Sequence, residues 1–257
     1  MLALLAAALS GCAAGPDPRD PLEPFNRGVY KFNDTVDKAV LKPTAQGYTA
    51  VVPDPVRGGV TNFFQNFRDV TNAFNGLLQG KFSAAATDVG RIAVNSTVGI
   101  LGVFDVASRI GLTKHNEDFG QTLGFWGLRD GPYLVLPILG PSTVRDSGGL
   151  VVDYFTDPEF AIFTEAPLTY AVFSVRLVNL RANLLEREKI FEAAATDRYA
   201  FLRDAYLQQR INLIHDGNPP PEKRGGAAPR RKSLKELEQE LDLLEDDPDT
   251  STPGEIK

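Results

Sequence analysis

The stretch DPLEPFNRGVYKFNDTVDKA, residues 20–39, carries Phe25, Val29, Phe32, Val36 and Ala39 at i, i+4, i+7, i+11 and i+14. That spacing gathers five apolar side chains on one face of an α-helix. It predicts a helix that begins at Phe25 and stops before Pro43, whose ring and missing N–H break a helical ladder. The same texture returns along the chain. Pro53 and Pro55 bracket a turn, after which Val60, Phe63, Phe64, Phe67, Val70, Phe74, Leu77 and Leu78 keep helical spacing, and Ala84–Val94 continues it. From Pro167, the residues Tyr170, Phe173, Leu177, Leu180 and Leu184 alternate by three and four, with Phe191 one heptad further on. Tyr199, Leu202, Tyr206 and Leu213 mark a last helix, closed by Gly217 and Pro219–Pro221. The expected fold class is all-α. Periodicity alone favours a single common core for these apolar faces over an outer face buried in lipid.

Two regions depart from the pattern. Thr97–Ile110 (TVGILGVFDVASRI) is a weakly polar run of fourteen residues. It is shorter than the roughly 20 needed to span a bilayer and reads as a buried or partly inserted helix. Phe119–Gly149, FGQTLGFWGLRDGPYLVLPILGPSTVRDSGG, is punctuated by Gly or Pro every few residues, so irregular structure is expected. Asp130 and Gly131 fit the turn of a short hairpin with Tyr133–Leu136 as one arm.

With 257 residues, 43% hydrophobic and 23% charged, the chain is globular in composition and long enough for one large domain or two small ones. Its single cysteine excludes a disulfide framework. A net charge of −6 argues against a nucleic-acid binder, which needs clustered Lys and Arg. Residues 1–12, MLALLAAALSGC, run from an apolar core through small residues to that one cysteine. Leu9-Ser10-Gly11-Cys12 resembles a bacterial lipobox, which implies a signal peptide at 1–11, cleavage between Gly11 and Cys12, and acylation of Cys12. The basic opening of such a signal is absent, as no Lys or Arg precedes Cys12. Ala13 follows the cysteine, which in the enterobacterial sorting rule implies transport to the outer membrane. Residues 12–24, with four prolines, read as an extended tether, 25–216 as the helical domain, and 217–257 as a charged tail. Within the tail, Ser233 and Glu236 match a capping box, and Leu234, Leu237, Leu241 and Leu244 read as a short amphipathic helix.

Known catalytic patterns are missing from the sequence. There is no Walker loop around Gly80–Lys81, no G-x-S-x-G elbow and no G-x-G-x-x-G. His115 stands near Glu117 and Asp118, a conceivable metal or acid–base cluster, but an ordinary loop is the stronger reading without further His or Cys ligands. His215 fits a helix C-terminus, where its charge meets the dipole favourably.

DPLEPFNRGVYKFND (20–34) and the 119–149 segment together resemble the signature segments of the MlaA/VacJ family of outer-membrane lipoproteins, and the resemblance extends from about Asp20 to Asp216. The matched motif positions are Asn26, Tyr30, Phe32, Asn33, Gly124, Gly131, Pro132, Tyr133, Pro137, Gly140, Arg145 and Asp146. The resemblance implies a ring of amphipathic helices in the inner leaflet of a Gram-negative outer membrane, with a central amphipathic channel. It implies removal of mislocalised phospholipids from the outer leaflet, transfer to a soluble periplasmic carrier, and association with trimeric porins. It implies no catalysis and no cofactor beyond the lipid on Cys12. The competing readings are a structural porin-associated lipoprotein and a lipid-modifying hydrolase using His115.

Overall fold

The computed structural model describes residues 17–194 and 197–220. The expected signal, Cys12, the Phe191 side chain and the capping box at Ser233 lie outside the described residues. Helix α1 (Glu23–Val36) opens two residues before Phe25, with Pro24 in its first turn, where a missing N–H costs nothing. The tether therefore ends before Pro24. Asp20 N–H reaches Asp17 O at 2.9 Å, Glu23 N–H reaches Asp20 O at 3.2 Å, and Asp20 is fully buried. The helical path also runs through Pro43 instead of stopping. Asp37–Leu41 widens into a π turn, Lys42 N–H reaches back to Asp37 O, and α2 (Lys42–Val51) continues with Pro43 in its first turn. The wider ladder keeps the proline ring clear of the carbonyls behind it.

Helix α3 (Asp54–Leu78) starts behind Pro53, and α4 (Phe82–Thr97) follows after a three-residue turn. The expected helix over Thr97–Ile110 is largely absent. Only α5 (Val106–Arg109) forms, capped by Asp105, and the chain before it turns through positive φ at Ile100 (53°) and Leu101 (55°). Two glycines, Gly99 and Gly102, let it fold back there on α3 and α4: a Cβ on Gly99 would sit 2.3 Å from Phe104 O.

The punctuated segment holds α6 (Phe119–Phe125), strands β1 (Tyr133–Leu136) and β2 (Gly140–Thr143), and the start of α7 (Val144–Thr156). The strands pair antiparallel, Tyr133 opposite Thr143 and Leu136 opposite Gly140. Tyr133–Leu136 is an arm as expected, but the turn is Pro137–Leu139 and not Asp130–Gly131. Asp130 instead accepts from Arg145 N–H at 3.1 Å, which ties the approach to β1 to the start of α7. Then come α8 (Pro158–Ile162), α9 (Ala166–Ala194) and α10 (Arg198–Ile214). Asp118, Thr143, Asp157 and Asp197 cap α6, α7, α8 and α10 with side-chain oxygens.

Helix α3 packs along α4, α9 lies on α2 and α3, α6 on α7, and α10 on α6 and the hairpin, while β1 lies against α1. No single described helix is long and apolar enough to cross a membrane; α7–α8 and α9 satisfy length and composition only as a pair bent by 113°.

The expectation of one apolar core is overturned. Among the described residues, nine apolar residues are buried and five of them are alanines, whereas twenty-one polar or charged residues are buried. The α1 stripe shows why. Phe25 and Phe32 are 60% and 52% exposed, and the inward side of the helix carries Asn26, which is fully buried. Helix α3 buries Asp69, Asn72 and Asn75 and exposes Phe74 and Leu77; α9 buries Asn179 and exposes Tyr170 and Leu180. The helices are amphipathic as read, with their polar faces turned inward.

Candidate functional site

The interior begins where α1 grips the hairpin. Asn26 Nδ2 donates to Tyr133 O at 2.9 Å and to Asp20 Oδ1 at 2.8 Å, and its Oδ1 accepts from Val135 N–H at 2.9 Å. Seven residues on, Asn33 repeats the arrangement: its Nδ2 donates to Leu136 O at 2.9 Å and its Oδ1 accepts from Ile138 N–H at 2.8 Å. Two side-chain amides thus stand in for a third strand along β1, satisfying backbone groups that burial would otherwise leave unpaired. Tyr133 is fully buried, its ring edge-on to Tyr199 and Tyr206, and Tyr30 meets Tyr199 the same way at 5.8 Å. Tyr199 OH donates to Asp20, which Arg203 also approaches at 3.5 Å. Asn26→Ala is expected to destabilise the fold by about 1–3 kcal/mol through the unpaired Val135 N–H and Tyr133 C=O, measurable by thermal unfolding in detergent. Phe32→Ala, on the exposed side, is expected to cost far less.

Next to the hairpin lies a charged cluster. Arg210 Nη2 donates to Asp118 Oδ1 and to Asp146 Oδ1, both at 2.9 Å, and Tyr206 OH donates to Asp146 Oδ2 at 2.8 Å. Arg145 binds the same Asp146 oxygen through Nε (3.0 Å) and Nη2 (2.8 Å) and also pairs with Asp130. Burial works to raise the carboxyls of Asp118 and Asp146, but the guanidinium partners outweigh it and hold both below the ordinary value. The approach is close because α6 and α7 meet at glycines: a Cβ on Gly149 would lie 2.4 Å from Gly120 N, and one on Gly124 2.9 Å from Arg145 Nη1.

A third network fills the space between α3, α4 and the chain leading to α6. Arg91, 1% exposed, donates to Asp69 Oδ2 (3.0 Å), Ser108 Oγ (2.9 Å), Leu112 O (2.8 Å) and Asp105 Oδ1 (3.2 Å). Asn72 bridges His115 O and Glu117 N–H, and Thr122 Oγ1 donates to Asn75 Oδ1 at 2.8 Å. Asp153 accepts from Phe119 N–H and Asn75 with no paired cation among the described residues, and burial pushes its carboxyl up to about 6. The candidate trio of His115, Glu117 and Asp118 does not converge. His115 Nδ1 faces Asp88 Oδ1 at 3.0 Å, Glu117 binds Gln79 and Lys81, and Asp118 caps α6 and pairs with Arg210. No group of three His, Cys, Asp or Glu able to hold a metal occurs among the described residues. His215 Nδ1 lies 2.8 Å from Ile211 O at the end of α10.

Of the motif positions, Asn26, Asn33, Tyr133, Arg145 and Asp146 are brought together around the hairpin, with Tyr30 beside them. Pro132 O accepts from Val144 N–H at 3.1 Å, Gly131 (φ 69°) passes close against Val144, and Gly140 (φ 85°) opens β2. Phe32 and Pro137 face outward, sharing a shallow apolar recess with Phe25. The sequence reading missed the inward polar residues of α3 and α4. Asp69, Asn72 and Gln79, and then Asp88, Arg91 and Asn95, recur at helical spacing, so a search for polar periodicity would have found them.

The outer surface completes the arrangement. Ile100, Leu101, Ile138 and Leu139 are 62%, 69%, 54% and 64% exposed at loop tips. Ile100 and Ile138 hold positive φ, a strained conformation for a β-branched residue. Exposed apolar surface of this extent marks contact with lipid or protein. Such a molecule can sit in an apolar medium and carry polar groups within it, because its buried arginines are paired with carboxylates and its large apolar side chains face outward.

Comparison with known proteins agrees with this geometry. The chain is 32% identical over 247 residues to the intermembrane phospholipid transport system lipoprotein MlaA of Escherichia coli, covering 93% of this chain and 97% of that one. It is 33% identical over 227 residues to the Haemophilus influenzae protein of the same name, covering 84% and 90%. An uncharacterised Rickettsia bellii protein is 35% identical over 210 residues, covering 79% and 78%. A structure solved in work on the structural basis for maintenance of bacterial outer membrane lipid asymmetry superposes with a TM-score of 0.67 at 32% identity, covering 76% of this chain and 98% of that one. The sequence pattern of the MlaA lipoprotein family matches residues 18–212, and with its polar residues turned inward and its apolar ones outward, the chain belongs to that family.

Proposed function

We propose that this chain is the outer-membrane lipoprotein of an intermembrane phospholipid transport system. It lies within one leaflet, lets mislocalised phospholipids leave the outer leaflet through a polar passage bounded by its helices, and passes them to a soluble periplasmic carrier. The observation that carries this reading is the inverted polarity: an interior of Asn, Asp and Arg side chains beneath an exterior of Phe, Leu, Ile and Val. A phospholipid crossing a membrane must keep its headgroup out of hydrocarbon, and a protein built this way offers a polar route inside an apolar coat. No single described helix is both long and apolar enough for a simple span, which suits embedding in one leaflet. The lipid on Cys12 supplies the anchor, at about 0.8 kcal/mol per buried methylene. Without a nucleotide motif, movement runs downhill or toward a tighter-binding acceptor. The sequence supports transport and not hydrolysis, and a trimeric porin is the expected neighbour in the membrane.

The test is genetic and physical at once. Deleting the gene is expected to raise surface-exposed phospholipid, and the wild-type gene to restore it. Cys12→Ser is expected to leave an uncut or periplasmic product, unlabelled by fatty acid, that restores asymmetry poorly. A deletion strain with normal surface phospholipid would refute the transport reading; full outer-membrane recovery of Cys12→Ser would refute the anchor.

A further inference from the structure

An open groove of about 650 Å³ runs between α3, α9 and the loop before α5. Its walls include Val56, Gly59, Val60 and Phe63 on one side, with Val103 and Val172 across from them, and every lining residue is apolar. From Pro55 to Phe64 the floor follows α3 over ten residues, about 14 Å for the nine steps of 1.5 Å between them. That is close to half of a hydrocarbon core about 30 Å thick, the depth of a single leaflet. Gly59 lets the loop pack closely on α3 at the groove's edge, since a Cβ there would lie 3.0 Å from Val103 Cγ1.

We propose that this groove takes one acyl chain of a membrane phospholipid, a step that rests on the transport reading above and names where part of the cargo sits. The lining decides the occupant's chemistry. A peptide would bring N–H and C=O groups that no lining side chain can satisfy, whereas a hydrocarbon chain brings none. The rim is part of the exterior, Val56, Phe104 and Val175 being 54%, 51% and 47% exposed, so a chain enters sideways from the bilayer without crossing water. Within a bilayer the groove offers a chain no hydrophobic gain over its lipid neighbours. Residence is therefore brief and depends on fit, as a lipid in transit requires. The volume lies within the range of about 300–1,000 Å³ typical of small-ligand sites.

The experiment uses full-length acylated protein in vesicles of phosphatidylethanolamine and phosphatidylglycerol, with a trace of phospholipid bearing a diazirine near one chain end. After irradiation, labelled residues are mapped by mass spectrometry. Exposure alone would favour Phe155 (79%) and Tyr170 (71%) over half-buried Val60 and Phe63. The proposal expects the opposite ranking by several-fold, and expects Ala171→Trp, which fills the groove from its open side, to abolish the excess. Labelling that follows exposure would overturn it. So would groove labelling that appears only in Cys12→Ser, since the protein's own anchor would then be the occupant. The mapping on wild-type protein stands even if the tryptophan variant fails to fold. Surface phospholipid in the complemented deletion strain reports on the transport reading separately, so a failed groove and a failed function give different results.

Discussion

Replacing Arg210 with alanine is expected to cost about 3–5 kcal/mol of folding stability at neutral pH, because it strands carboxylates that only a cation makes tolerable in the interior. Arg210 sits between Asp118 and Asp146; Arg145 remains for Asp146, but Asp118 has no other ion pair among the described residues. The pH dependence follows from the direction of the shifts. Asp118 and Asp146 titrate below their ordinary value of 3.8 in the folded protein. Their pairing therefore contributes stability above that value and loses it as pH falls through the lowered folded value. The gap between wild type and Arg210→Ala is expected to be widest near neutrality and to close in acid, where the stranded carboxylates protonate. Unfolding followed by circular dichroism in detergent across that range measures it, and Arg210→Lys should recover part of the loss. An equal loss at pH 3 and pH 7 would mean that packing, not charge, is what Arg210 supplies.

A comparable effect is expected from a single methyl group. Gly149→Ala places a Cβ 2.4 Å from Gly120 N and 2.7 Å from Gly120 Cα, against backbone that cannot rotate away. Overpacking usually costs about 1–3 kcal/mol when side chains can adjust, and this site belongs at or beyond the upper end. The two helices must separate, and with them Asp118 on one side and Asp146 on the other, so the Arg210 bridge loosens as well. The neighbouring Gly148 is the control. Nothing lies within 4 Å of its would-be Cβ, and Gly148→Ala is expected to be neutral or to stabilise α7 by up to about 1 kcal/mol. Similar melting temperatures for the two variants would show that the close approach does not govern stability.

How much of this was legible in the chain depends on which physical signal each element leaves. The helices were visible because apolar residues at three-and-four spacing define a stripe whichever way that stripe faces. Its direction was not, since Phe25, Phe32, Asn26 and Asn33 give the same periodicity in water and in lipid. The end of α1 was misread because a proline normally stops a helix, and only a π turn allows Pro43 to be passed. The loop at Gly99–Gly102 carries a helix-like sequence because its apolar residues hide the two glycines that fold it back. In the hairpin, Tyr133–Leu136 was recognisable, but the turn depends on Ile138 adopting positive φ, which no propensity anticipates. The motif residues were found through family resemblance. Their work of clasping a strand and pairing buried charges needed the contacts between α1, α7 and α10, which are distant in sequence.

The inverted interior also changes how stability should vary with temperature. Unfolding an ordinary globular protein exposes apolar surface to water and raises the heat capacity strongly, which curves the stability profile and weakens the fold in the cold. Here the apolar surface already faces outward, and unfolding chiefly uncovers amides, carboxylates and guanidinium groups, whose hydration contributes with the opposite sign. The heat-capacity increment should be small, leaving a nearly straight dependence of stability on temperature. A protein built this way would go on gaining stability as it is chilled, for want of a hydrophobic core that cold could weaken.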